Sequence, residues 1–331
     1  MTRSAGAFLK GGFMKSTNHI RAFHKAWKLS DTVYSQTRPN LRWKNRIRFS
    51  LTSLMHADET MEWFSMLETT DWMHPFLEKM PVLTFKPMRV YLSTKWNLAQ
   101  RKKVIWDTYH LLQRYPVFCK TILNTHGTVL ARYDCGKYGD LAIVLCSHHH
   151  STSKEGELMV KLRNNSQDRD IIKMAFSFER SVSGDFICYI GCIQGSGTDN
   201  RDEIKAITKA MHGLRPAALM IFIAREIISA MDIKITHILG LGNQAHPFRK
   251  KHLIHIPFAH QISFDYDALW QDAGGKLEEN GWFCLPVKSE RRESKDIKSK
   301  KKMVYLRRYG MMDELSKQIH QNMSGIFQSG S

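Results

Sequence analysis

No apolar stretch in this chain approaches the roughly 18–20 consecutive residues that a bilayer-spanning helix requires, so the sequence offers no membrane-crossing segment. Catalytic signatures are equally scarce. There is no Gly-x-Ser-x-Gly elbow for a serine nucleophile. There is no Walker loop, since Gly195-Ser196-Gly197 is not followed by Gly-Lys-Ser/Thr, and no dinucleotide fingerprint between a strand and a helix. Cysteine is sparse: Cys119, Cys135, Cys146, Cys188, Cys192 and Cys284 sit mostly inside apolar runs at irregular spacings. Without a Cys-x-x-Cys pair they read as buried, reduced thiols rather than a disulfide framework or a zinc site. Met1–Phe13 has a cation at each end, a weak apolar middle and no convincing cleavage site, so it does not read as a signal peptide, and Met14 is an alternative start.

Negative charge is also in short supply. The chain of 331 residues has 49 Lys and Arg against 31 Asp and Glu, for a net charge of +18. The excess is concentrated at the ends. Residues 1–50 hold eleven Lys/Arg against Asp31 alone, and residues 288–320 hold eleven against five acids, while the long middle is close to neutral. Arg42, Lys44, Arg46 and Arg48 alternate with Leu41, Trp43, Ile47 and Phe49; Lys300, Lys301 and Lys302 precede Met303-Val304 and Arg307-Arg308. Cations interleaved with aromatics suit an anionic lipid surface as well as nucleic acid, and they also suit a plain solvated face.

The 43 % hydrophobic content is that of an ordinary globular protein, long enough to bury a large core. Residues 52–79 carry a Met- and Trp-rich helical pattern that Pro75, Pro81 and Pro87 break up. Trp96 to Tyr115 repeats apolar residues at helical spacing and stops before Pro116. The period then changes. Val129–Tyr133, Leu141–Cys146, Leu158–Leu162, Ile171–Phe178 and Phe186–Ile193 are short strand-like runs joined by polar turns, which predicts an antiparallel meander. Two helices follow, Arg201–Met211 and Pro216 to about Met231, then a strand Ile235–Leu241, a short helix Tyr266–Asp272, a strand Trp282–Val287 and a last helix Met311–Met323. The expected architecture is α+β: a helical N-terminal region followed by a mixed, mainly antiparallel sheet with helices. The expected organisation is a basic, partly disordered segment over 1–40, one domain over 41–325 (helical to about 120, α+β from about 125) and a disordered tail over 326–331.

Two histidine clusters invite a metal reading. His148, His149 and His150 are adjacent, so on an extended segment they diverge, and no acid or cysteine pair completes a site. His246, His252, His255 and His260 are denser, yet no Glu follows His252 in the metalloprotease manner and Pro257 interrupts the helix. Neither is assigned a metal.

The anion-binding candidates lie between Gln194 and Pro216. Gln194-Gly195-Ser196-Gly197-Thr198-Asp199 joins a strand to a helix, and it resembles the Gln/Arg-x-x-Gly-x-Gly/Ala turn of GNAT-type N-acyltransferases. In those enzymes, backbone N–H groups of the turn hold the pyrophosphate of acyl-CoA. Gln194 and Gly197 fit; Asp199 stands where Gly or Ala is expected. In His212-Gly213-Leu214-Arg215-Pro216, Gly213 suits a helix end and Pro216 a helix start, which sets Arg215 beside a positive helix terminus. Arg215 suits either an anion or a salt bridge to Glu226 or Asp202. On this reading His212 and His237 are the candidate general bases, because imidazole titrates near neutral pH.

Five motifs carry a wider resemblance. Tyr189-Ile190-Gly191-Cys192-Ile193-Gln194-Gly195, His212-Gly213-Leu214-Arg215-Pro216, Tyr266-Asp267-x-x-Trp270-x-x-x-Gly274-Gly275, Gly281-Trp282-Phe283-x-Leu285-Pro286 and Tyr305-Leu306-Arg307-Arg308-Tyr309 resemble the VirK/YbjX family of Gram-negative bacteria over about residues 40–322. The resemblance implies association with virulence, with expression or display of surface proteins, with resistance to antimicrobial peptides and with membranes. It carries no catalytic residues. The expected function is therefore a virulence- and envelope-associated accessory factor, cytoplasmic or peripheral to the inner membrane; the first alternative is an acyl-CoA-dependent transferase acting on an envelope component, and the second an RNA-binding post-transcriptional factor.

Overall fold

A computed structural model describes residues 5–124, 126–147, 152–195, 201–247, 264–288, 291 and 297–327. The chain divides into two compact units, Met1–Val90 with Asn97–Lys102, and Tyr91–Trp96 with Lys103–Ser331.

The first unit is helical. α1 (Ala5–Val33), α2 (Pro39–Met55), α3 (Ala57–Thr69) and the short α4 (His74–Lys79) are followed by a 3-10 stretch, Pro81–Met88. Where the sequence suggests a partly disordered segment before residue 40, the structure has α1. The reason is a stripe of small residues: Ala22, Ala26 and Ser30 recur every four positions and are fully buried, so α1 presents a narrow face to its neighbours. Pro39 occupies the first turn of α2, where its missing N–H costs no hydrogen bond. Phe49, Trp63, Phe64 and Phe85 fill the core, and the Trp63 indole N–H donates to the Thr84 carbonyl at 3.1 Å.

The second unit is built on a sheet of eight strands among the described residues. β1 (Thr128–Asp134), β2 (Asp140–Ser147), β3 (Leu158–Asn164), β4 (Arg169–Arg180) and β5 (Phe186–Gly195) form the expected antiparallel meander. α7 (Arg201–Ala210) and α8 (Pro216–Ala230) then cross over to β6 (Ile235–Leu241), which runs parallel to β5. After α9 (Tyr266–Asp272), the two-residue β7 (Lys276–Leu277) precedes β8 (Trp282–Leu285), and β8 inserts between β6 and β7. The full order is β1-β2-β3-β4-β5-β6-β8-β7. α8 is apolar almost all round and buries ten of its residues, as a helix laid against a sheet and covered in turn must.

α5 (Leu98–Gln113) and α6 (Pro116–Leu123) precede the sheet, and α10 (Lys302–Ile326) closes the chain. α10 begins nine residues before the expected start at Met311 and runs through Gly310. A Cβ on Gly310 would meet nothing within 4 Å, so an exposed glycine there costs only about 1 kcal/mol. The buried stripe Met311, Leu315, Ile319, Met323 outweighs it. Ile326 and Phe327, expected in a disordered tail, are held in place: Ile326 ends α10, and the buried ring of Phe327 packs on Tyr115 and Phe118 at centroid distances of 4.8 and 4.6 Å. α10 further serves the edge strand β1. The Gln318 side-chain amide both accepts from Arg132 N–H (2.9 Å) and donates to Arg132 C=O (3.2 Å), and Asn322 donates to Leu130 C=O at 2.9 Å.

Candidate functional site

The segment before β3, polar in sequence, reads as a surface turn, yet Thr152, Glu155 and Glu157 are fully buried. Two glycines make this possible by letting backbones touch. A Cβ on Gly156 would lie 2.5 Å from the Phe176 nitrogen, and a Cβ on Gly191 would run into the Glu155 carbonyl oxygen. Gly191 is the extra residue of a β-bulge in β5, since Ala175 faces Cys192 while Phe176 faces Ile190. The segment is held by Glu157 N–H donating to Phe176 C=O (3.1 Å) and to Ser177 Oγ (2.9 Å), and by Leu92 N–H donating to Lys154 C=O (2.7 Å).

This places two carboxylates inside the second unit. Glu157 Oε2 accepts from the Tyr109 hydroxyl at 2.7 Å, and Tyr91 shares a 2.7 Å hydrogen bond with Ser177. Glu155 sits over the end of β5. Its Oε1 accepts from Gln194 Nε2 at 2.6 Å and lies 3.5 Å from His246 Nε2, the Cys192 thiol also faces the carboxyl, and Oε2 has no nitrogen or oxygen hydrogen-bond partner among the described residues. Burial pushes the Glu155 carboxyl up to about 7, against smaller opposing effects from the Cys192 thiol and the Gln194 amide. Burial, reinforced by the Glu155 charge, drives the Cys192 thiol well above its ordinary value, so it remains protonated at neutral pH.

β5 and β6 are paired only as far as Ile190 and Gly240. Beyond that point Tyr266, the first residue of α9, takes up backbone groups of β5: its hydroxyl donates to Ile193 C=O (3.1 Å) and accepts from Ile193 N–H (3.3 Å). Tyr266 stacks on His246 with centroids 5.1 Å apart. α9 is pinned by Asn243, just past β6, whose Nδ2 donates to Asp265 Oδ1 at 2.7 Å and whose Oδ1 accepts from Tyr266 N–H at 3.1 Å. Trp270 closes the floor. Its indole donates to Leu241 C=O at 2.9 Å, and its ring would lie 2.7 Å from a Cβ on Gly240.

On the outer side of α9, a cleft of about 400 Å³ runs between α8 and α9. Arg215 stands at one end, at the N-cap of α8; Ala218, Ile221 and Leu269 supply apolar wall, and Phe264 connects the cleft to Tyr266 by an edge-on contact at 5.1 Å. Arg225 braces the wall by donating to Pro286 C=O (2.9 Å) and Ala273 C=O (3.1 Å). Arg215 is exposed and pairs with no carboxylate among the described residues. The two partners considered for it are engaged elsewhere: Glu226 accepts from Ser316, and Asp202 pairs with Lys205 at 3.1 Å.

The structure gathers some of the sequence candidates and separates others. Gln194 joins the Glu155 cluster and Gly195 ends β5, whereas Gly197 lies outside the described residues, as do Asp199, the triplet His148–His150, and His252, His255 and His260. His212 sits after α7 in a left-handed conformation (φ 53°), 3.4 Å from the Tyr133 hydroxyl, and burial followed by Arg307 and Arg308 lowers its pKa. His237 is exposed on β6 opposite Ile187, with Nδ1 on Thr236 at 2.9 Å. Neither lines the cleft. Arg42 and Arg46 both pair with Asp31, at 2.6 and 2.7 Å, and Arg46 lies over the Trp27 ring at 4.5 Å. Lys44, Arg48, Lys300, Lys301 and Lys302 are exposed. Among the described residues no set of three His, Cys, Asp or Glu is placed to hold a metal ion, and no helix is long and apolar enough to cross a membrane. The described cysteines are free thiols.

Glu155 and Arg225 are the residues that sequence reasoning missed; His246, weighed there only as a metal ligand, lies beside Glu155. The motif residues Gly191, Cys192, Tyr266, Trp270 and Trp282 point to the same region, since Trp282 packs on Tyr189 and Trp96 at 4.9 and 5.4 Å.

The fold and site thus define an α+β protein with a buried acid at the parting of a parallel strand pair. Residues 40–321 match a family described as a protein of unknown function, DUF535, and the chain belongs to that family. It is 29 % identical over 294 residues to an uncharacterised Escherichia coli (strain K12) protein, YbjX, a span covering 86 % of each chain. It is 25 % identical over 293 residues to an uncharacterised protein of Haemophilus influenzae, covering 87 % of this chain and 94 % of the relative. A Mannheimia haemolytica protein named membrane protein LapB is 22 % identical over 200 residues, covering 59 % of this chain and 82 % of the relative. No solved structure matches the chain.

Proposed function

We propose that this protein is an acyl-group transferase that uses a thioester donor of the acyl-CoA type and acts on an amine or hydroxyl of an envelope component. The observation that carries this reading is the parting of the parallel pair β5/β6 beyond Ile190 and Gly240, with a cleft beside it that Arg215 heads and that apolar side chains line together with Asp265 and Asp272. The sheet order supports it too. A parallel pair that follows an antiparallel meander and precedes a hairpin whose second strand inserts is the arrangement of GNAT-type acyltransferases. Arg215 and the α8 N-terminus suit the donor's phosphates, and the apolar wall suits its chain. In the transfer, the acceptor nitrogen or oxygen attacks the thioester carbonyl, the C–S bond breaks, and the thiol leaves. The acceptor loses its proton to solvent or to a base; Glu155 has a carboxyl poised near neutrality but is fully buried and does not line the cleft, so it is not assigned that role.

The test is isothermal titration of the purified protein with acetyl-CoA and with a long-chain acyl-CoA, repeated on Arg215→Ala. Saturable binding weakened about 10- to 100-fold by the substitution is expected, the range for losing a charged hydrogen bond. No binding by a folded protein overturns the proposal.

A second reading is a non-catalytic accessory protein of the VirK/YbjX type at the inner face of the envelope, supporting surface-protein display and resistance to antimicrobial peptides. The printed name of the Mannheimia relative, a membrane protein, favours an envelope setting. The RNA-binding reading has less support, because its basic–aromatic interleaving is partly used inside the first unit, where Arg46 stacks on Trp27 and Trp43.

A further inference from the structure

α2 divides its residues by direction. Phe49, Ser50 and Ser53 point inward and are buried, and Arg42 and Arg46 lie on the same side, where Asp31 and Trp27 hold them. Side chains four apart lie one above the other on a helix, and Ile47, Leu51 and Met55 follow that spacing along an outer side, whereas Trp43, one turn earlier, packs on Trp27 and under Arg46. All three are exposed, at 48, 47 and 67 %. Lys44 and Arg48 belong to this outer face and are exposed with it. Lys44, Ile47, Arg48, Leu51 and Met55 line one shallow depression along the helix.

Three large apolar side chains in a row, over about two turns, are more than a scatter of surface hydrophobics. The cations decide what covers them. A second copy of this face would bring four cations into one contact with no acid on α2 to pair them. An anionic bilayer surface takes both components: Ile47 and Leu51 enter the boundary between headgroups and acyl chains, and the Lys44 and Arg48 stems lie along it while their charges reach lipid phosphates. We propose that the outer face of α2, with Ile47, Leu51 and Met55 as the inserting row and Lys44 and Arg48 as its phosphate contacts, docks this protein on an anionic lipid bilayer. The four alternating cations seen in sequence are thereby divided: Lys44 and Arg48 serve the lipid, and Arg42 and Arg46 hold α2 to α1. This surface stands independently of the acyl-transfer reading.

The test is co-sedimentation of the full chain with vesicles of phosphatidylethanolamine, with and without phosphatidylglycerol. Three variants accompany the wild type: Ile47→Gln with Leu51→Gln; Lys44→Ala with Arg48→Ala; and Lys300→Ala with Lys301→Ala and Lys302→Ala. Binding is expected only with phosphatidylglycerol. Each cation near such a surface contributes about 1 kcal/mol, so loss of Lys44 and Arg48 weakens binding about 30-fold. The apolar pair is expected to weaken binding at least as much, and the α10 variant to bind like wild type. All the substituted side chains are exposed, so unchanged melting temperatures serve as the folding control. Quenching of tryptophan fluorescence by brominated lipid that is greater in Leu51→Trp than in wild type reports insertion of this face. Three outcomes overturn the proposal: no binding by the wild type; binding abolished by the α10 variant but kept by both α2 variants; or an α2 variant that changes a dimer to a monomer without changing vesicle binding, which would make a second copy the occupant.

Discussion

Gly191 has no room for a side chain, because the carbonyl oxygen of Glu155 occupies the space its Cβ would need. The contact is backbone to backbone, so no rotamer change relieves it. Gly191→Ala must move either the β5 bulge or the buried segment that holds Glu155. The expected cost is about 1–3 kcal/mol, the range for overpacking a dense interior. Denaturant unfolding measures it, and a loss well below 0.5 kcal/mol would mean that the segment does not lie on β5 as described.

Glu155 couples stability to pH. In the unfolded chain its carboxyl ionises near its ordinary value of 4.5, and in the folded protein near 7. Between those values the folded state holds the extra proton, so this group makes stability fall as pH rises from about 4.5 to about 7, with no further effect above. The full change is on the order of 3 kcal/mol. Glu155→Gln keeps the shape and removes the ionisation. Urea unfolding at about pH 5 and about pH 8 is therefore expected to show a smaller difference for Glu155→Gln than for wild type. Equal differences in the two proteins would rule out Glu155 as the source.

Arg225 makes two carbonyl contacts that only a planar, forked side chain can make together. Arg225→Lys keeps the charge but leaves at least one of Pro286 C=O and Ala273 C=O unmet. A loss of about 1–3 kcal/mol is expected from the unsatisfied group. It is read as a lower denaturation midpoint with an unchanged m-value. A neutral result would show that solvent replaces the contact without cost.

The meander β1–β5 and the strand β6 are legible in the sequence because each is a short apolar run bounded by Gly or polar turns, and the structure places them within a few residues of expectation. α1 is hard to read because its buried face is made of Ala22, Ala26 and Ser30, which carry little hydrophobic signal. The candidate site shows the same division. Gln194 and Arg215 are visible because they border a strand end and a helix start. Glu155 is not, because Lys154-Glu155-Gly156-Glu157 has the composition of a solvated turn. Its burial depends on two glycines, Gly156 and Gly191, that are 35 residues apart, a long-range fit that no local pattern records.

The side chains of Gln318 and Asn322 give β1 what a further strand would give it: a donor and an acceptor for Arg132, and a donor for Leu130. A sheet edge with free N–H and C=O groups is a template for any other extended chain. α10 therefore acts as a stopper as well as a packing helix. It satisfies the edge with amides carried on a helix, which cannot themselves be extended by another strand. The opposite edge ends in the two-residue β7, too short to recruit a partner. Sheet growth is thus blocked at one end by chemistry and at the other by length, and this keeps a wide, strand-rich sheet from polymerising through its own backbone.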